Sequence, residues 1–224
     1  NLMSIVLNIP CLVESVNDFW SNMSILQKTS LIIDGHNQPR VFDYQTFMVE
    51  KLQTVVFLDL EDTSVRDITN LDKCPNLKYL NISSTLVTNL DVVHNLLHLE
   101  NLQANCLSLS TIEPLRSSKL KNLQLMDIDT LEDVSPLGSC SNLVYLSLDG
   151  SSCNSTFWNS GYLCLLWDSL ISLNLSGTEV TDITSLRQAK NLKKLKLDEL
   201  ELISLEPISS CFNLKELSLL NNSI

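Results

Sequence analysis

Leu170-Ile-Ser-Leu-Asn-Leu-Ser-Gly-Thr-Glu-Val-Thr-Asp-Ile-Thr-Ser-Leu186 sets the pattern that the rest of the chain repeats. Its apolar positions include Leu170, Leu173, Leu175, Val180, Ile183 and Leu186. Twenty-two residues on, Leu192, Leu195 and Leu197 restart the phrase, and 22 further on Leu214, Leu217 and Leu219 restart it again. Upstream, the heads fall at Val55, Leu77, Leu99, Leu120 and Leu143, so the seven steps are 22, 22, 21, 23, 27, 22 and 22 residues. After each head the apolar and polar residues alternate, which is the pattern of a half-buried strand. The rest of each unit, such as Val65-Arg-Asp-Ile-Thr-Asn-Leu71 or Val134-Ser-Pro-Leu137, spaces its apolar residues by three. That spacing predicts a short 3₁₀ or single-turn helix. Asp67 and Asp182 open two of these turns and are expected to cap them.

A period near 22 headed by L-x-x-L-x-L is the signature of a leucine-rich repeat. The predicted fold is α/β: a leucine-rich repeat solenoid of about ten units, coiled right-handed, with a parallel sheet on the concave face and short 3₁₀ or helical turns on the convex face. Residues 55–224 form the regular array. Residues 1–54 are expected to be an irregular cap with degenerate repeats, since a terminal unit must cover the end of the core. Within them Leu2–Leu7 and Leu31–Gly35 read as strands, 11–27 as a helix or irregular cap, and 42–52 as a helix with Phe47 and Met48 inward. The chain opens without Met and stops partway through a repeat at Asn221-Asn-Ser-Ile224, so we read it as part of a longer protein whose array continues.

Thr178-Glu-Val-Thr-Asp-Ile-Thr-Ser-Leu186, Thr63-Ser-Val-Arg-Asp-Ile-Thr-Asn-Leu71 and Leu131-Glu-Asp-Val-Ser-Pro-Leu137 resemble the 22-residue repeats of bacterial internalins and related protist proteins. The Thr- and Cys-containing variant is more similar to the protist type. The resemblance covers residues 55–224 most fully. It implies protein recognition on the concave sheet, and a ninth position filled by Asn that ladders neighbouring backbones together. Here that position holds Thr63, Thr85, Leu107, Ile128, Ser151, Thr178, Leu200 and Asn222. Thr is expected to replace Asn in part. Leu107, Ile128 and Leu200 are expected to hold their turns by burial alone.

An apolar fraction of 44% against 18% charged residues suits a packed chain and excludes a disordered one. A net charge of −11 argues against nucleic acid, because phosphate binding needs a basic face, and points to a basic protein partner. No apolar run reaches the roughly 18 residues of a membrane span, so no membrane insertion is expected. Asn1–Leu7 has neither the basic region nor the cleavage site of a signal peptide. Cys74, Cys140 and Cys211 share one place, each three residues before a repeat head. Sites several turns apart are too distant to pair, so they read as small buried thiols of a reducing, intracellular and cytoplasmic setting. Against this, Asn22, Asn81, Asn154, Asn174 and Asn221 fit the glycosylation sequon of a secreted or surface protein, although Asn81 and Asn174 arise from the repeat itself. His94 and His98, four apart, read as surface residues of a convex turn, and no metal site, cofactor or catalytic motif is expected.

Residues 3, 5 and 7 of each unit face away from the core, and residue 8 lies at the rim. From these columns we select Phe57, Asp59, Glu61, Asp62, Tyr79, Asn81, Gln103, Gln124, Asp127, Tyr145 and Asp149 as the candidate partner-binding set. Exposed aromatic rings dominate interfaces, although rings on one column can also stack on each other across strands. The lengthened unit, Ser151–Ser169, concentrates Phe157, Trp158, Tyr162 and Trp167. Leu163, Leu166 and Trp167 have helical spacing and read as core, while Trp158 is the exposed candidate of the insertion. Cys153 and Cys164 are expected as free thiols, able to pair only in an oxidising compartment. The favoured function is a non-catalytic protein-interaction module. The alternatives are an assembly scaffold within a large complex, and the substrate-recognition part of a larger enzyme such as a ubiquitin ligase. The oligomeric state stays open.

Overall fold

The computed structural model describes residues 6–7, 32–33, 53, 55–158 and 163–224. The chain divides into two units, Asn1–Leu107 and Ser108–Ile224. The helices expected at 11–27 and 42–52, with Phe47 and Met48, lie outside the described residues, as do His36, Tyr162 and the sequon at Asn22.

In the first unit, β1 (Val6–Leu7) and β2 (Ile32–Ile33) pair in parallel, Val6 opposite Ile32. Both fall inside the two N-terminal stretches read as strands. β3 (Phe57–Asp59), β4 (Tyr79–Asn81) and β5 (Asn101–Gln103) form a parallel set with Phe57, Tyr79 and Asn101 in register. In the second unit β6 (Asn122–Gln124), β7 (Tyr145–Ser147), β8 (Ser172–Asn174), β9 (Lys194–Lys196) and β10 (Glu216–Ser218) continue the same arrangement in consecutive order. Each register step equals one repeat, so every strand meets the same position of its neighbour. This is the architecture of a leucine-rich repeat solenoid within each unit.

The strands are three residues long because only the central leucine needs to point inward. Leu58, Leu80, Leu123, Leu146, Leu173 and Leu195 are all at most 1% exposed, and burial of each stabilises by about 1.5–3 kcal/mol. Backbone pairing runs past the strands. Leu60 N–H donates to Asn81 O and Asp62 N–H to Ser83 O, and the same two bonds recur from Leu175 to Lys196 O and from Gly177 to Asp198 O. Residue 8 of all eight regular units has a left-handed backbone, with φ between 54° and 68° at Asp62, Ser84, Cys106, Asp127, Gly150, Gly177, Glu199 and Asn221. The chain turns there while its N–H still serves the ladder.

On the opposite side of each unit lie the expected 3₁₀ turns, among them Thr69–Lys73, Asp91–Asn95, Ser135–Ser139 and Thr184–Gln188. Pro114, Pro136 and Pro207 sit at their starts, where a missing N–H costs nothing. Asp67 and Asp182 do accept the first helical N–H, from Thr69 at 2.9 Å and Thr184 at 2.8 Å. They act from the residue before the formal cap. Asn89, Thr111, Asp133, Asn154 and Ser204 repeat this bond in the other units.

Two expectations about the ninth position are corrected. Thr63, Thr85 and Thr178 do not ladder neighbouring repeats: each hydroxyl donates at 2.7 Å to the carbonyl three residues back in its own unit. A hydroxyl on a short β-branched side chain reaches no further. Nor do all the apolar turns rely on burial alone. Ile128 cannot bond Leu125 O, and Ser151 of the next repeat does so instead at 2.6 Å while accepting Ile128 N–H at 3.1 Å. Asn222 reaches back in the same way to Leu197 O, at 2.7 Å, in the repeat whose ninth residue is Leu200.

Candidate functional site

The outward columns of the first unit bring together Phe57, Asp59, Glu61, Asp62, Tyr79 and Asn81. Register places Phe57 directly beside Tyr79, and their rings stack 4.0 Å apart at 3°. Both rings are half-buried. Part of their area is therefore spent on each other. Asp59 is half-buried and accepts Glu61 N–H at 3.1 Å. Burial pushes its carboxyl up, against the opposing effect of that N–H and of the Asn81 amide. Burial likewise raises the Tyr79 phenol, helped by the charges of Asp59 and Glu61. Glu61 and Asp62 are exposed.

Asn81 is a correction to the candidate set. It is 2% exposed; its amide donates to Glu61 Oε2 at 3.1 Å and its carbonyl accepts Ser83 N–H at 3.1 Å. Both ends of the side chain are committed, so it positions Glu61 and meets no partner. The sequon at Asn81 is inaccessible for the same reason. Gln103 is half-buried on the neighbouring strand.

In the second unit Gln124, Tyr145 and Asp149 are half-buried and Asp127 is exposed. Asp149 accepts the Asn174 amide at 3.0 Å, and Asn174 Oδ1 takes Ser176 N–H at 3.0 Å, repeating the Glu61–Asn81–Ser83 arrangement. Asp198 accepts Ser218 Oγ at 2.6 Å and Leu220 N–H at 2.7 Å. These carboxylates hold adjacent strands together.

Trp158 is the second correction. Expected at the surface of the insertion, it is 0% exposed. The insertion forms α1 (Ser155–Trp158) and α2 (Cys164–Ser169), and Trp158 meets Trp167 edge-on, with centroids 5.2 Å apart at 87°. Leu163, Leu166 and Trp167 are buried as expected. Ser155 Oγ accepts Thr181 N–H and Asp182 N–H, at 2.9 and 3.0 Å, which fastens α1 to the following repeat. The extra aromatic mass fills the core beneath the longer unit.

Cys74, Cys140, Cys153 and Cys211 are buried free thiols and Cys106 is exposed. Burial pushes Cys74 and Cys153 up to about 12. Cys140 and Cys211 sulfurs approach Leu115 O and Leu186 O of the preceding repeat, at 3.2 and 3.4 Å. His94 and His98 are exposed on the 3₁₀ side. Among the described residues no three His, Cys, Asp or Glu side chains converge as a metal site, and no helix is long and apolar enough to cross a membrane.

Sequence reasoning passed over a recess of about 430 Å³ on the sheet face of the second unit, lined by Tyr145, Ser172, Asn174, Lys194, Lys196 and Glu216 among others. The available signal was charge, since Lys194 and Lys196 are the sole cations of the outward columns.

No protein-family model matches the sequence. No curated protein matches it either. The structure is similar to that of an internalin (inlF) from Listeria monocytogenes, with a TM-score of 0.72 at 20% identity over 87% of this chain and 55% of the other. It is also similar to the receptor in a TLR13–ssRNA13 complex, with a TM-score of 0.66 at 23% identity over 76% of this chain and 25% of the other. The plant peptide hormone receptor RGFR1 in complex with RGF2 gives 0.61 at 19% identity over 76% and 29%. At such identities the likeness establishes the leucine-rich repeat fold alone, and the chain spans little more than half of the internalin and under a third of either receptor.

Proposed function

We propose that the chain is a non-catalytic protein-interaction module that takes a basic partner segment on the sheet face of its first unit. The observation that carries this reading is the Phe57–Tyr79 stack flanked by Asp59 and Glu61. A lysine or arginine laid on the stack gains cation–π attraction and reaches the carboxylates at the same time. The outward residues of this unit include Asp59, Glu61 and Asp62 and no Lys or Arg, so no cation on these columns competes for them. Burial chiefly raises the Tyr79 phenol, and the Asp59 and Glu61 charges beside it add to that, a contribution that a cation would offset.

A peptide partner is consistent with the occupant of RGFR1. The RNA bound to TLR13 is disfavoured as a model here, because a net charge of −11 repels phosphate. Buried thiols at Cys74, Cys140, Cys153 and Cys211 support a reducing, intracellular setting. The test is capture from native extract with the wild-type chain beside Asp59→Lys/Glu61→Lys/Asp62→Lys, read by quantitative mass spectrometry. A basic partner lost from the triple variant is the expected result. An unchanged capture profile refutes the assignment of this patch.

A further inference from the structure

The recess on the second unit has a different chemistry from the first unit's acidic face. Its walls are β7 to β10, with Tyr145 at one side and Glu216 and Ser218 at the other. Lys194 Nζ is held by Glu216 Oε1 at 2.8 Å across β9 and β10. Lys196, two residues along the same strand, is exposed, and its ammonium has no ion pair or hydrogen bond among the described residues. The carboxylates that could neutralise it are engaged elsewhere. Asp198 takes Ser218 and Leu220, and Asp149 takes Asn174. Asn174 is itself saturated by Asp149 and Ser176. With two lysines and one glutamate lining it, the recess carries one positive charge in a chain of net −11.

We infer that this recess seats an acidic side chain of a partner peptide, an Asp or Glu flanked by an apolar residue. The inference deepens the reading of the chain as a protein-interaction module and rests on it. Lys196 supplies the ammonium, the Ser172 and Tyr145 hydroxyls supply neutral donors, and the Tyr145 ring takes the flanking apolar group. A volume of about 430 Å³ is in the range of sites that enclose side chains and small ligands, and is far larger than a single small anion fills. A second negative group would draw Lys194 from Glu216 only if that contact were worth more than the exposed ion pair, which is weak.

The experiment titrates the whole chain, in 150 mM salt, with an acetylated and amidated Glu-Leu hexapeptide repeat, following backbone amides by NMR. Parallel arms use the Gln-Leu peptide and inorganic phosphate. Saturable shifts centred on 172–174, 194–196 and 216–218 are expected, with the Gln peptide about tenfold weaker, as loss of a charged hydrogen bond implies. Lys196→Met should weaken binding by a similar factor and Lys196→Glu should abolish it, while Lys73→Met, on an exposed 3₁₀ turn, leaves it unaltered. Equal binding of the Gln peptide, indifference to Lys196→Glu, or displacement of the peptide by equimolar phosphate overturns the proposal. If the acidic patch of the first unit captures its basic partner while the Glu peptide fails to bind, this inference falls and the interaction reading stands. If both fail, both fall.

Discussion

Ser151→Ala tests whether a neighbouring repeat really supplies what an apolar ninth residue withholds. Ser151 is 1% exposed, donates to Leu125 O at 2.6 Å and accepts Ile128 N–H at 3.1 Å. Removing its oxygen leaves one buried carbonyl and one buried N–H without a partner. Each such orphan costs about 1–3 kcal/mol, so the expected loss is about 2–4 kcal/mol after allowing for partial relaxation. In a chain of this size that lowers the melting temperature of the affected unit by roughly 5–15 °C. The comparison is Thr178→Val, which removes a single bond to Leu175 O within its own repeat and should cost about half as much. Urea unfolding followed by circular dichroism gives both losses, and amide exchange at Ile128 should accelerate in Ser151→Ala alone. Adding Ile128→Thr to Ser151→Ala should recover part of the loss, because a hydroxyl at the ninth position can then bond Leu125 O as Thr178 bonds Leu175 O. A coupling of about 1 kcal/mol or more is expected between these two sites. A loss below about 0.5 kcal/mol with unaltered Ile128 exchange would refute the cross-repeat bond.

Two further outcomes follow from burial and backbone geometry. Cys74 and Cys153 ionise near 12 when folded against about 9 when unfolded, because burial disfavours the thiolate. The unfolded chain therefore releases protons first, and the stability present below pH 9 declines between 9 and 12, by roughly 2–4 kcal/mol per thiol at the upper limit; urea midpoints from pH 8 to 11 should fall, and Cys153→Ala should flatten the slope. Gly150 has φ +68°, and a methyl group there would stand 2.4 Å from Asp127 Oδ1, whereas the same addition at Gly177 meets nothing closer than 3.5 Å. Gly150→Ala should thus cost more than Gly177→Ala, about 1–2 kcal/mol against about 1 kcal/mol for the left-handed backbone alone, and Asp127→Ala should narrow the difference in denaturant midpoints.

The repeat itself was legible because a period of one turn must place like residues on like positions. Leu58, Leu80 and their equivalents, the 3₁₀ turns, and the cysteines before the heads all followed from that. What stayed hidden were bonds that leave the repeat. Asn76, Asn191 and Asn213, each just ahead of a head, donate to Gln53 O, Asp168 O and Lys190 O of the preceding repeat, so an Asn ladder exists at a different position from the one expected. The recurring Asn-Leu pair after the cysteines was its signal. Trp158 was misjudged because added length was equated with surface. Trp158 and Trp167 need a core to enter, and the unit lengthened by helices that made one.

The candidate site sharpens when the sheet-face polar groups are sorted by whether their bonds are already made. Glu61, Asn81, Asp149, Asn174, Asp198 and Ser218 spend hydrogen bonds on neighbouring strands. Such a bond is worth more to the sheet than to a passing ligand, since breaking it would orphan a half-buried group. A polar column is therefore a poor guide to a binding surface. Outside that set stand the Phe57–Tyr79 stack with Asp59 and Asp62, and Lys196 with Tyr145 and Ser172, while the exposed Glu61 commits one of its two carboxylate oxygens. These are the groups that a partner can engage without first undoing the fold, and they carry opposite charge in the two units.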